Sequence, residues 1–260
     1  MLHLVAVVAA LRIEWSLPLP LESFLTPVFW AALGQIVLID ILLGGDNAVV
    51  IALASRKLPP LQRRKAIFWG TIGAVALRVV LIFFALSLLK LPFLKIIGAV
   101  LLLWIGVKLM QPDDEPEGGH GSVQAADKLW AAVKTVIVAD LVMSLDNVIA
   151  IAGAAQNAGA DHSLILVIFG LVLSVPIIVW GSQMVIGLMT RYPVIITLGA
   201  MLLGWIAGGL VVTDPAAESW VHAQSWGQRA GMLAGAAGAM LVWGIGQWIR
   251  SRHRRLASTD

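Results

Sequence analysis

No cysteine occurs in this chain of 260 residues, so a disulfide framework and thiolate metal ligands are both excluded. Charge is scarce as well: 13% of residues are Asp, Glu, Lys or Arg, against about 25% in soluble domains. Hydrophobic residues make up 59%, and the mean hydropathy is +0.90. Such a composition leaves no room for a large soluble domain and points to a polytopic membrane protein. No Lys follows a Gly, which removes the phosphate-binding loop G-x-x-x-x-G-K-[ST] and ATP hydrolysis by that route. No enzymatic activity is expected. All five histidines (His3, His120, His162, His222 and His253) lie outside the predicted membrane interior, which argues against a buried zinc site. The net charge of +3 comes from basic clusters beside hydrophobic stretches, so no nucleic-acid partner is expected.

Seven stretches approach or exceed the roughly 20 residues needed for a membrane helix. They are Phe29–Ala54, Ile67–Leu89, Phe93–Met110, Leu129–Ala155, Leu164–Met189, Val194–Val212 and Gln228–Ile249. The run Met1–Leu11 is too short to cross, and it lacks the charged start and cleavage pattern of a signal peptide. Residues 1–28 are therefore read as an extracytoplasmic extension. Residues 111–128, with Asp113, Asp114, Glu115 and Glu117 among glycines, read as a solvated cytoplasmic linker. Lys and Arg set the orientation. If the N-terminus is outside, 13 basic residues face the cytoplasm and 4 face out, with Arg78 inside a span. The positive-inside rule then places the C-terminus in the cytoplasm. The tail Arg250–Arg255 is expected to touch anionic lipid headgroups.

The chain also repeats itself. Asp40-Ile41-Leu42-Leu43-Gly44-Gly45-Asp46-Asn47 returns 100 positions later as Asp140-Leu141-Val142-Met143-Ser144-Leu145-Asp146-Asn147. Gly98–Ile105 is echoed by Gly199–Ile206. Each unit holds three spans, residues 29–110 and 129–212, and an odd number of crossings makes the second unit enter from the opposite side. The expected fold is an all-α membrane protein: seven transmembrane helices, a 3+3 inverted-topology repeat, and one C-terminal helix within residues 213–260. Inverted repeats of this kind recur in secondary transporters, with the ion site at their midplane interface.

Of fifteen Asp and Glu residues, only Asp40, Asp46, Asp140 and Asp146 fall well inside the spans. One carboxylate at the centre of a membrane helix costs roughly 2.5–3.5 kcal/mol, and four cost roughly 10–14 kcal/mol before compensation. Their oxygens, with the amide oxygens of Asn47 and Asn147, form a hard ligand set suited to Mn²⁺, Mg²⁺ or Ca²⁺. Along an unbroken helix Asp40 and Asn47 share a face, with Asp46 about 120° away. Gly44-Gly45 permits a bend there; Ser144-Leu145 makes any bend milder in the second copy. Arg78, the basic residue deep in a span, is expected to pair with an Asp of span one as a structural counter-ion, the commoner role of such residues; displacing the cation during a transport cycle is the rarer one. Met143 could lend a soft sulfur, although such residues are more often packing filler. Gln35, Ser174, Ser182 and Gln183 could join the site or simply bond helix to helix. Two other readings of the carboxylates remain: helix caps that glue the bundle, and a proton relay without metal.

At these motifs the chain resembles the TerC family of integral membrane proteins, named for tellurium resistance. The resemblance rests on Asp40…Gly44-Gly45-Asp46-Asn47, Asp140…Ser144-Leu145-Asp146-Asn147 and the paired glycine/tryptophan segments, and it extends over about residues 30 to 250. It implies a bacterial cytoplasmic membrane location and favours Mn²⁺, because bacterial members are associated with manganese efflux. The tellurium label has no physical account here, since an acidic cavity should repel tellurite. The expected function is export of a divalent cation in exchange for protons. Asp40, Asp46, Asn47, Asp140, Asp146 and Asn147 would hold the metal, with Arg78, Met143, Ser144, Gly44 and Gly45 as accessories. The cation is cargo; no tightly bound cofactor is expected. A homodimer is one expectation for the assembly. The alternatives are a membrane scaffold for metalation or assembly of exported proteins, and an exporter of small cationic organic solutes.

Overall fold

The computed structural model describes residues 27–88, 91–111, 122–157, 163–224 and 227–256, and the described elements are all helical. Inside lipid a backbone must satisfy its own N–H and C=O groups, which is why the apolar stretches become helices. In chain order they are α1 (Pro27–Leu43), α2 (Gly45–Ser55), α3 (Pro60–Leu88), α4 (Leu94–Met110) and α5 (Ser122–Asn157). Then follow α6 (Ser163–Arg191), α7 (Val194–Val212), α8 (Pro215–His222) and α9 (Ala230–Leu256). Pro27, Pro60 and Pro215 each stand at a helix start, where a missing N–H costs nothing.

Among the described residues four helices (α3, α6, α7 and α9) are each long and apolar enough to cross a membrane. The bent pair α1–α2, taken as one span, makes five. At 17 residues α4 reaches only about 25 Å, short of a hydrocarbon layer about 30 Å thick.

Several boundaries depart from the sequence expectation. The expected linker 111–128 is helical from Ser122, so α5 runs 36 residues. Asp127 and Lys128 ride on its second turn, where Ala125, Ala126 and Lys128 are good helix formers that need no apolar face. In the same way α9 carries on past Ile249 into the basic tail. The short α8 was not anticipated; Asp214 caps it by accepting the Ala216 N–H at 2.8 Å. The extension, residues 1–28, lies outside the described residues except for its last two.

Packing pairs the first three-helix unit with the second reciprocally. α3 lies on α5, while α1 and α2 lie on α6; α4 lies on α7. A glycine sits at each reciprocal crossing. A Cβ on Gly70 would fall 3.0 Å from Val136 Cγ1, and one on Gly170 would fall 2.5 Å from Ile36 Cγ2. Both glycines and both partners are related by the 100-residue offset of the motifs. Small residues at such crossings let helices approach closely where no hydrophobic driving force separates protein from lipid.

Basic side chains mark one end of the bundle. Arg56 Nη2 donates to Leu109 O at 3.1 Å, and Arg250 Nε donates to Met110 O at 2.7 Å. Both guanidinium groups thus close the C-terminus of α4, where carbonyls and the helix dipole attract cations. The cluster after α2 and the cluster ending α9 therefore lie at the same end. The other end of α4 is tied by Asp214, which accepts the backbone N–H groups of Phe93 (2.9 Å), Lys95 (3.0 Å) and Ile96 (3.3 Å).

Candidate functional site

The first acidic motif breaks its helix. Gly44 leaves the helical region (φ −104°, ψ 6°), and the two segments meet at 49°. A side chain is impossible at Gly44 in this geometry, because its Cβ would stand 2.4 Å from Asp40 O. Gly45 has open space around it and carries no such constraint. The break ends α1 one turn after Asp40 and starts α2 with Asp46 and Asn47. Asp46 is half-buried and accepts the Asn47 N–H at 2.9 Å. Asn47 is buried, yet neither atom of its amide finds a hydrogen-bond partner among the described residues.

The second motif does not break. α5 passes through Asp140–Asn147 as continuous helix, in line with the milder bend expected of Ser144-Leu145. Ser144 occupies the place equivalent to Gly44, and its hydroxyl donates to Asp140 Oδ2 at 3.1 Å.

Arg78 joins the two motifs. It is the largest of the fully buried side chains and reaches from α3 across to both. Its Nη1 donates to Asp40 Oδ1, its Nη2 to Asp140 Oδ1 at 2.5 Å, and its Nε to Ser144 Oγ at 2.9 Å. The Ser174 hydroxyl of α6 donates to Asp40 Oδ2. Each of the four carboxylate oxygens therefore has a donor. A planar guanidinium suits this task, since its fork can serve two carboxylates at once. The desolvation cost of burying such groups is offset only when their remaining lone pairs and protons are also bonded, as here. Formal charge over the triad is one negative.

The structure thus brings Asp40, Asp140, Arg78 and Ser144 together, with Ser174 added from the four polar candidates. Arg78 bridges both halves; the expectation of a partner in span one alone was too narrow. The reason is its length: from α3 it spans the gap to α5, which only packing reveals. Gln35 and Gln183 face outward, and Ser182 bonds Ile178 O within its own helix at 2.7 Å. Met143 packs in an apolar cluster with Val50, Leu102, Ile105 and Leu203, the filler role. Asn147 is half-buried, and the side chain of Asp146 lies outside the described residues. Among the described residues no group of three or more Asp, Glu or His side chains converges on a common point. Thr71, buried with an unpartnered hydroxyl, was missed. Its signal was present: it stands seven residues from Arg78, on the same face of α3.

Residues 25–254 match the family described as integral membrane protein TerC. The chain is 44% identical over 179 residues to the uncharacterized membrane protein YjbE of Bacillus subtilis, covering 69% of this chain and 78% of that one. It is 33% identical over 135 residues to YceF of the same organism, covering 50% of this chain and 52% of that one. With the longer UPF0053 protein YegH of Escherichia coli it shares 25% over 207 residues, covering 74% of this chain but 38% of that one. No solved structure matches. The aligned span takes in both acidic motifs, Arg78, Ser144 and Ser174, and the chain belongs to the TerC family of integral membrane proteins.

Proposed function

We propose that this protein is a secondary transporter that exports a divalent cation, Mn²⁺ by preference, from the cytoplasm in exchange for protons. One observation carries the reading: Asp40 and Asp140, one from each half, aim carboxylate oxygens at a single cationic group in a sealed interior. A spot built by both halves to hold positive charge can be offered to either side when one half moves against the other. Asp46, Asn47, Asp146 and Asn147 would complete the oxygen shell, and at least one carboxylate would take up a proton as the metal leaves. Hard oxygen donors suit Mn²⁺, Mg²⁺ and Ca²⁺ alike; the family resemblance favours the first.

The architecture in this proposal is seven spans in a 3+3 inverted repeat, with α4 and α5 as the third and fourth. The reciprocal crossings at Gly70–Val136 and Gly170–Ile36 support a pseudo-two-fold relation between the halves. Orientation in a bacterial inner membrane is N-terminus out and C-terminus in, in keeping with Arg56 and Arg250 at one end.

Efflux of Mn²⁺ from loaded proteoliposomes tests the reading. Wild type should export against a proton gradient, and Asp40→Asn and Asp140→Asn should lose most of that flux. Protein-independent leak rates in the wild type would end the proposal. The fully bonded Arg78 bridge gives some support to a second reading, a membrane scaffold for metal loading of exported proteins, which predicts that absence of flux.

A further inference from the structure

We propose that Arg78 is an internal cation that exchanges with the cargo: it holds the Asp40–Asp140 pair while no metal is bound, and the arriving metal displaces it. This rests on the transport reading above and adds how the site is emptied. Asp40 Oδ1 and Oδ2 take Arg78 and Ser174; Asp140 Oδ1 and Oδ2 take Arg78 and Ser144. A divalent cation bound by oxygens at about 2.0–2.6 Å cannot bridge the two carboxylates with a guanidinium between them. Metal and Arg78 therefore exclude one another at this pair.

Charge points the same way. With Arg78 between them the two carboxylates carry one net negative charge. A divalent cation in its place makes the pair neutral. Asp46, in the first turn of α2 just past the break, is a further carboxylate to which the displaced guanidinium can turn. An arriving metal has oxygens to rest on as well. Asn47 Oδ1 and Thr71 Oγ1 are buried and, among the described residues, unpartnered. Each stands seven residues, about two turns, from the bridge (Asn47 from Asp40, Thr71 from Arg78), toward the connection of α2 with α3. That connection carries the basic cluster assigned to the cytoplasmic end.

An internal cation lets a transporter cross its empty state without a bare pair of buried carboxylates, and it helps expel the metal after release begins. The test compares wild type with Arg78→Gln and Arg78→Lys. Equilibrium Mn²⁺ binding is read in detergent by the electron paramagnetic resonance of free Mn²⁺, and efflux is read in proteoliposomes. If the internal cation leaves about one molecule in ten open to metal, Arg78→Gln should bind Mn²⁺ about tenfold tighter. Its efflux should fall by a similar factor or more, since nothing then drives the metal off. Arg78→Lys, with charge but no fork, should keep measurable flux. Should Arg78→Gln fail to fold, Ser144→Ala serves instead: it removes the Nε acceptor, loosens the lock, and should tighten Mn²⁺ binding. Unchanged or weaker binding in the folded variants, beside normal wild-type flux, overturns the internal cation alone. Wild type without binding or flux overturns the transport reading and this inference together.

Discussion

The two acidic motifs share their carboxylates and their spacing but differ at one backbone position, and that position divides their work. At Gly44 the chain leaves the helix, and a Cβ would meet Asp40 O. At Ser144 the helix continues, and the side chain there bonds both Asp140 and Arg78. The first copy is thus broken, with the Asn47 amide unpartnered among the described residues beside the break; the second is unbroken, with Asp140 and Ser144 both bonded. A duplicated sequence has produced one broken helix and one continuous helix. The difference between a glycine and a serine is enough, because glycine disfavours helix interiors while serine fits one and brings a hydroxyl.

The largest expected effect comes from removing what both copies share. Asp40→Asn with Asp140→Asn strands Arg78 as an uncompensated buried charge, and roughly 3–5 kcal/mol of stability should be lost. Either single variant should lose distinctly less, because one carboxylate remains. Thermal unfolding in detergent would show this; equal midpoints for single and double variants would mean that the bridge is not where the charge is balanced.

Next comes the break itself. Gly44→Ala forces the break to rearrange and should cost about 1–3 kcal/mol, while Gly45→Ala, with nothing within 4 Å, should stay within about 0.5 kcal/mol of wild type. In the second copy Ser144→Gly removes two bonds and should cost about 1–3 kcal/mol without creating a hinge, because α5 is held by its neighbours. If Gly44 and Gly45 respond alike, the asymmetry argued here is wrong.

A gentler comparison sets Gly170→Ala against Gly70→Ala. Both crossings should lose stability, by about 1–3 kcal/mol at most, with Gly170 the more sensitive because Ile36 stands nearer. A neutral outcome at both would remove the reciprocal packing as a source of stability.

Asp214 should give the smallest effect, and one that depends on pH. Burial pushes its carboxyl up, but the N–H groups of Ala216, Phe93, Ile96 and Lys95 outweigh it and hold the group below the usual carboxylate range. A depressed folded-state value contributes stability above the unfolded value of about 3.9 and loses it as pH falls through the folded one. Asp214→Asn should therefore cost about 1 kcal/mol at neutral pH, and the gap to wild type should close only in strong acid.

Much of this was legible beforehand, for reasons particular to each element. Val194–Val212 is bounded as a helix where hydropathy ends, because Pro193 and Asp214-Pro215 punctuate it. A bend at Gly44-Gly45 was permitted by its glycines, and the weight on Asp40, Asp46, Asp140 and Asp146 came from the cost of charge in lipid. The start of α5 at Ser122 was not legible, since polar residues beyond the membrane leave no hydropathy edge to read. The place of Thr71 on the Arg78 face was legible from their spacing, but its unbonded hydroxyl was not, since any helix could have satisfied that group internally.

Composition and periodicity determined by themselves that this chain is helical, membrane-embedded and duplicated, because lipid permits few backbone solutions and tolerates charge only where something answers it. Which groups answer which was decided by the tertiary structure alone. Arg78 stands 38 residues from Asp40 and 62 from Asp140. Only the stacking of α3 and of α1 against α5 brings those atoms within bonding distance.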